Sequence, residues 1–220
     1  MNKTVIVGIM SIMLIAAASY ATINGTAHDF TDGVGDETWN DSGEMCLPCH
    51  TPHNAKDHNE VHPLWNHDYQ GSSSFQVWEG AVLGAESLTC LSCHDGTTAL
   101  DAFGHNGSNA VTKTMGDVYA AGNLGTDLLN DHPVGVKYPT SGGRYSPIGS
   151  IWGGQPAIQS SGFGGLPIFG EGGSEQVECA TCHTPHGSVN PYMLRISNED
   201  SDLCATCHSG HADWPHAWTP

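Results

Sequence analysis

The sequence predicts a chain of mostly loops with short helices and one small β-hairpin, wrapped around four stacked prosthetic groups with little conventional core. Three observations predict it. All eight cysteines fall into four copies of one pentapeptide, C-x-x-C-H. Hydrophobic content is only 38%, with 28 glycines among 220 residues, which is poor material for an apolar core. The pentapeptides also come in pairs, one pair in each half of the chain.

The copies are Cys46-Leu47-Pro48-Cys49-His50, Cys90-Leu91-Ser92-Cys93-His94, Cys179-Ala180-Thr181-Cys182-His183 and Cys204-Ala205-Thr206-Cys207-His208. A c-type haem needs two thiols to add across its vinyl groups and an adjacent imidazole to bind iron, and this spacing supplies all three within one turn of chain. Zinc clamps and thiol redox pairs also use C-x-x-C, but neither requires a histidine after every second cysteine. Here it follows all four and no cysteine is left over. The expected cofactors are four haem c groups, the expected class is a multihaem cytochrome c, and the porphyrins take the place of the core.

Four segments follow in order. Residues 1–21 read as a secretory signal: Lys3, the apolar run from Val5 to Ala18, then Ser19-Tyr20-Ala21. The run is shorter than the roughly 20 residues of a spanning helix. Export fits covalent haem, which is attached outside the cytoplasmic membrane, and leaves an extracellular, outer-surface or periplasmic location open. Residues 22–103 form a first paired-haem module. Residues 104–178 are a Gly/Ser/Pro-rich connecting segment, mostly loop, with a short helix expected near Leu124 to Asn130. Its end, Gly165 to Gly170 and Gln176 to Glu178, suits a hairpin turning at Gly172-Gly173. Residues 179–220 form the second paired-haem module. The remaining helices are expected around the motifs themselves.

Acidic residues number 23 against six basic ones, giving a net charge of −17, which excludes nucleic acid as a natural partner. The acids are scattered, so solubility is their plain explanation and steering of cationic or metal acceptors the sharper one. No catalytic residue stands out. Tryptophans 39, 65, 78, 152, 214 and 218 are read as packing for porphyrin faces and edges.

The sixth iron position decides whether a haem carries electrons or does chemistry. Of fourteen histidines, ten lie outside the motifs, whereas Met115 and Met193 are the only methionines well away from both signal and motifs. Bis-histidine ligation is therefore expected at all four sites. His53 and His186 follow their proximal partners His50 and His183 by three residues and leave the same face of the turn, so they suit a neighbouring haem. The expectation is His53 for the second haem and His186 for the fourth. His58, His62 and His105 read as solvated or propionate-bonded, and Arg195 as either a propionate partner or a plain surface arginine.

The strings C-H-T-P-H-N at 50–54, P-L-W-N-H at 63–67, C-L-S-C-H-D-G-T at 90–97, D-H-P-V-G at 131–135 and V-E-C-A-T-C-H-T-P-H-G at 177–187 resemble the doubled C-x-x-C-H multihaem cytochromes. In four-haem size the chain is similar to the OmcE-like group of extracellular, filament-forming cytochromes, over most of residues 28 to 210. The resemblance implies that His132, His67 and His28 are further distal candidates. It also implies a homopolymer in which one iron is ligated by a histidine of the next subunit, with His28 nominated and His211 and His216 competing.

Three functions follow. The first is an electron conduit that passes electrons along closely packed haems to redox proteins or extracellular minerals. The second is a monomeric periplasmic shuttle with the same haems. The third is a multihaem reductase, which would need an open sixth position; no variant motif marks one.

Overall fold

The computed structural model describes residues 23–32, 39–55, 62, 64–105, 113–140, 144–152, 154–158 and 165–208. Residues 1–21, expected to be a secretory signal, lie outside them, as do His58, His211, His216, Trp214, Trp218 and the side chain of Trp152. Among the described residues there are four short α-helices: α1 (Ala85–His94), α2 (Met115–Val118), α3 (Cys179–Cys182) and α4 (Asp202–Cys207). Five strands accompany them: β1 (Val136–Lys137), β2 (Ile148–Trp152), β3 (Gln155–Ile158), β4 (Leu166–Pro167) and β5 (Gln176–Val177).

Three of the helices are the C-x-x-C-H motifs. In α1, Gly84 enters in an extended conformation and Glu86 stands in the first turn, where the helix dipole favours an acid. The helix ends at the motif histidine because Asp95 draws the chain into a turn. Its carboxylate accepts from the backbone of Thr97 at 2.8 Å and Thr98 at 2.7 Å, while Gly96 takes a left-handed φ of +69°. The first motif makes only a single turn, with His50 N donating to Cys46 O at 2.8 Å.

The connecting segment differs from expectation, for it carries all five strands. β2, β3 and β4 form an antiparallel sheet, with Ile151 opposite Pro156 and Ala157 opposite Pro167. Prolines inside strands are what made this stretch read as loop. β1 pairs antiparallel with β5, placing Val136 opposite Val177. The expected hairpin is present only as a bridge: Phe169 and Gln176 exchange backbone bonds of 3.1 and 2.8 Å across left-handed Gly172 and Gly173. Beyond it, β4 turns to β3 and β5 to β1. The helix expected near Leu124 to Asn130 is not formed. Left-handed Gly125 breaks the segment, Asp127 bridges Gln76, and Leu128 is buried.

Among the described residues the buried apolar side chains gather in three small clusters. Phe75, Leu83, Leu88, Leu91 and Leu128 pack around α1. Tyr138, Ile158, Leu166, Ile168, Val177 and Ile196 join the sheets, with Cys207 against them. Phe30, Trp39, Leu100, Phe103 and Met115 enclose Cys49 and Cys93. Each cluster thus abuts a motif, and the fold holds the four motifs as its common frame.

Candidate haem sites

Within each motif the histidine closes a helical turn onto the first cysteine. The bond from His183 N to Cys179 O is 3.1 Å and that from His208 N to Cys204 O is 2.9 Å. Positions i, i+3 and i+4 share one face of such a turn, so two thiols and one imidazole leave together. The residues between them point inward: Pro48, Leu91, Thr181 and Thr206 are buried. Motif follows motif in space as in sequence. Cys93 stands within electrostatic reach of Cys49, Cys90 of Cys179, and Cys207 of Cys182.

Burial pushes the Cys182 thiol up to about 12 and the Cys207 thiol up to about 11, and raises Cys49 further still. These sulfurs stay protonated at neutral pH, unlike zinc-bound or catalytic thiolates. Among the described residues no group of three or more His, Cys, Asp and Glu is arranged to hold a metal ion.

Three motif histidines face a histidine from elsewhere in the chain. Ring centroids are 6.2 Å apart for His50 and His186, 6.1 Å for His94 and His28, and 6.4 Å for His208 and His132. Two imidazoles on opposite sides of one metal, each bonded at about 2 Å, have centroids roughly 6 Å apart. The separations fit a shared iron.

The tautomers fit as well. Nδ1 contacts a backbone carbonyl in His28 (Pro185, 3.0 Å), His94 (Gly122, 2.7 Å), His132 (Pro133, 3.1 Å) and His183 (Tyr192, 2.8 Å). With the proton held there, Nε2 keeps its lone pair for a metal. Burial lowers the pKa of His28, His50 and His94, which favours the neutral ring that ligation requires. A buried indole Nε1 on Trp65, without an acceptor, lies edge-on to His50 at 6.0 Å between centroids. It is a donor suited to a carboxylate-bearing group over that ring. The chain's residues therefore fit haem c: thiol pairs, neutral imidazoles and rings at the right separation. Residues 172–213 match the family model for the doubled CXXCH motif. The match covers the third and fourth motifs and supports a multihaem c-type cytochrome, since CXXCH motifs imply covalently bound haem c. No curated protein matches the chain.

The remaining candidates are placed differently from expectation. His186 faces His50 rather than the fourth motif, because the loop after α3 folds back beneath the first motif. His53 is exposed beside left-handed Asn54. His28, the nominated inter-subunit ligand, faces His94 of its own chain. His67 is fully buried, with both ring nitrogens on carbonyls: Nδ1 on Asp68 at 2.8 Å and Nε2 on Leu100 at 3.0 Å. Burial lowers its pKa, but the Cys93 sulfur and the two carbonyls outweigh burial and raise it to about 9. Once Cys93 is a neutral thioether, the largest of those raising effects is gone. His62 lies 3.7 Å from Glu86, and His105 is exposed.

Arg195 donates from Nε to Ala180 O at 2.9 Å, and its backbone N–H donates to Cys182 O at 2.8 Å, so it is built into the third motif. Trp39 is buried and Trp78 largely exposed. Sequence reasoning missed Glu178 and Ser87, two buried polar residues between the second and third motifs. An acid before a cysteine and a serine in a helix read as ordinary surface, and only tertiary contact reveals them.

Proposed function

We propose that this chain is an exported electron-transfer protein carrying four haem c groups in motif order, and that it works as a homopolymeric haem wire. The observation that carries the reading is the set of three histidine pairs at 6.1 to 6.4 Å, each joining a motif histidine to a distant one. Haem c supplies a one-electron iron couple, and bis-histidine ligation keeps it at the lower end of potential. The chain's own work is placement. The motif turns fix the attachment points, Nδ1 contacts orient the rings, and the apolar clusters limit water at the thioether edges.

His50 with His186, His94 with His28 and His208 with His132 are the assigned pairs. Among the described residues His183 has no imidazole partner at that separation, and in this reading a histidine from the next copy completes the third site. His53 of a neighbouring chain is one source; His58, His211 and His216, outside the described residues, are the others. If one of those three closes the site within its own chain, the monomeric shuttle is the better reading. If the site stays open, reductase chemistry returns.

Haem-loaded protein tests the proposal. Mass and haemochrome measurements should give four haems per chain, and reduced protein should bind no carbon monoxide once assembled. Fewer haems, or rapid carbon monoxide binding by filaments, would overturn it.

A further inference from the structure

Glu178 is almost fully buried, at 1% exposure, in the seam between α1 and α3. Its Oε1 accepts from Gly84 N at 3.0 Å and from Gln176 Nε2. Its Oε2 accepts from the hydroxyl of fully buried Ser87, and that hydroxyl accepts from Cys179 N at 3.0 Å. The carboxylate thus ties the entry of the second-motif helix to the first residue of the third motif. The partners are 91 to 94 residues apart in sequence. The two attachment cysteines, Cys90 and Cys179, lie close to each other at this tie, near enough for each thiol to influence the other's ionisation. There is no slack at Gly84, where a Cβ would stand 2.7 Å from Glu178 Oε1.

We infer that Glu178, acting with Ser87, is a positioning residue for the second and third haems: it sets how closely their attachment cysteines, Cys90 and Cys179, approach. This rests on the four-haem reading above. Each cysteine carries one edge of one porphyrin, so the approach of the two sulfurs governs the approach of the two edges. Electron exchange falls exponentially with that gap. A junction bridging the two halves of the chain has no covalent tether of its own, and the buried hydrogen-bonded carboxylate supplies one. Such a residue is costly to leave unpaired and therefore specific in its geometry.

Electron paramagnetic resonance of the fully oxidised, haem-loaded protein tests the inference, with haem counted by mass in every sample. Wild-type protein should show spin coupling between neighbouring ferric haems. Glu178→Ala should keep four haems and low-spin ligation yet lose the coupling of the middle pair, and Glu178→Gln, whose Oε1 still accepts from Gly84 while its Nε2 donates to the Ser87 oxygen in place of the original bond, should restore it. Should Glu178→Ala fail to load haem, Ser87→Ala removes the hydroxyl that joins Glu178 Oε2 to Cys179 N and should give the same loss. An unchanged coupled spectrum in the Ala variant, or in Ser87→Ala where that variant stands in, would overturn the inference, as would a Gln variant as uncoupled as Ala. A wild-type count below four haems would instead refute the reading beneath it.

Discussion

His132 shows how a single side chain carries the assignment. Its ring lies 6.4 Å from His208, with Nδ1 on the carbonyl of Pro133. Replacing it with methionine should leave haem attached but raise the potential of one haem, as His/Met ligation does. A voltammogram unchanged from wild type would show that His132 is not the ligand. Glu178 makes a pH prediction. Burial raises its pKa, against hydrogen bonds from Ser87, Gln176 and Gly84 that favour the charged form, while Glu86 adds repulsion. The native chain then holds a proton that the unfolded chain releases near about pH 4.3, so this group's contribution to stability falls as pH rises through its native value. Denaturant midpoints of wild type and Glu178→Gln, measured across that range, should differ by a pH-dependent amount; parallel curves would contradict the shift. Residue-level legibility was uneven. The four C-x-x-C-H motifs could be read directly, because the pattern is local in sequence. The partners of His53, His67 and His186 could not, because spacing along a turn says which face a ring leaves from and nothing about which distant segment meets it.

Elements were legible where one residue dictates the backbone. The turn after α1 depends on Asp95, which is fully buried and also accepts from the Thr97 and Thr98 hydroxyls at 2.9 and 2.6 Å. Asp95→Ala strands several donors and should cost about 1–3 kcal/mol in unfolding experiments on the haem-loaded protein. Gly135 enters β1 with φ +70°, and a Cβ there would lie 2.7 Å from backbone atoms of Val82. Gly135→Ala should therefore cost at least the roughly 1–2 kcal/mol of a left-handed L-residue; a smaller loss would mean that the backbone at Val82 and Leu83 yields easily. The strands of the connecting segment escaped pattern reading because they run only two to five residues and carry Pro156 and Pro167. Their pairing is set by tertiary contact with Val82, Val177 and Ile196, and alternation over so short a run is weak evidence.

At the scale of the whole molecule, the buried apolar side chains of the described residues form three small clusters, each touching a motif. Haem should accordingly be a condition of folding: chain made without attachment machinery should give no cooperative unfolding transition by calorimetry, and a sharp one would show that the clusters suffice. The modular repeat was plain in the sequence, whereas the order of motifs in space and the return of His186 to the first module were not, since both depend on loops folding across the halves. Electron microscopy of haem-loaded protein from the cell exterior, at a resolution showing each iron and both axial ligands, tests the central claim most directly. The account predicts filaments in which His50 pairs with His186, His94 with His28 and His208 with His132 inside each chain, while the iron on His183 takes a histidine from the adjacent chain. Discrete particles with four internally closed irons, or any of the three internal pairs replaced by another ligand, would contradict it.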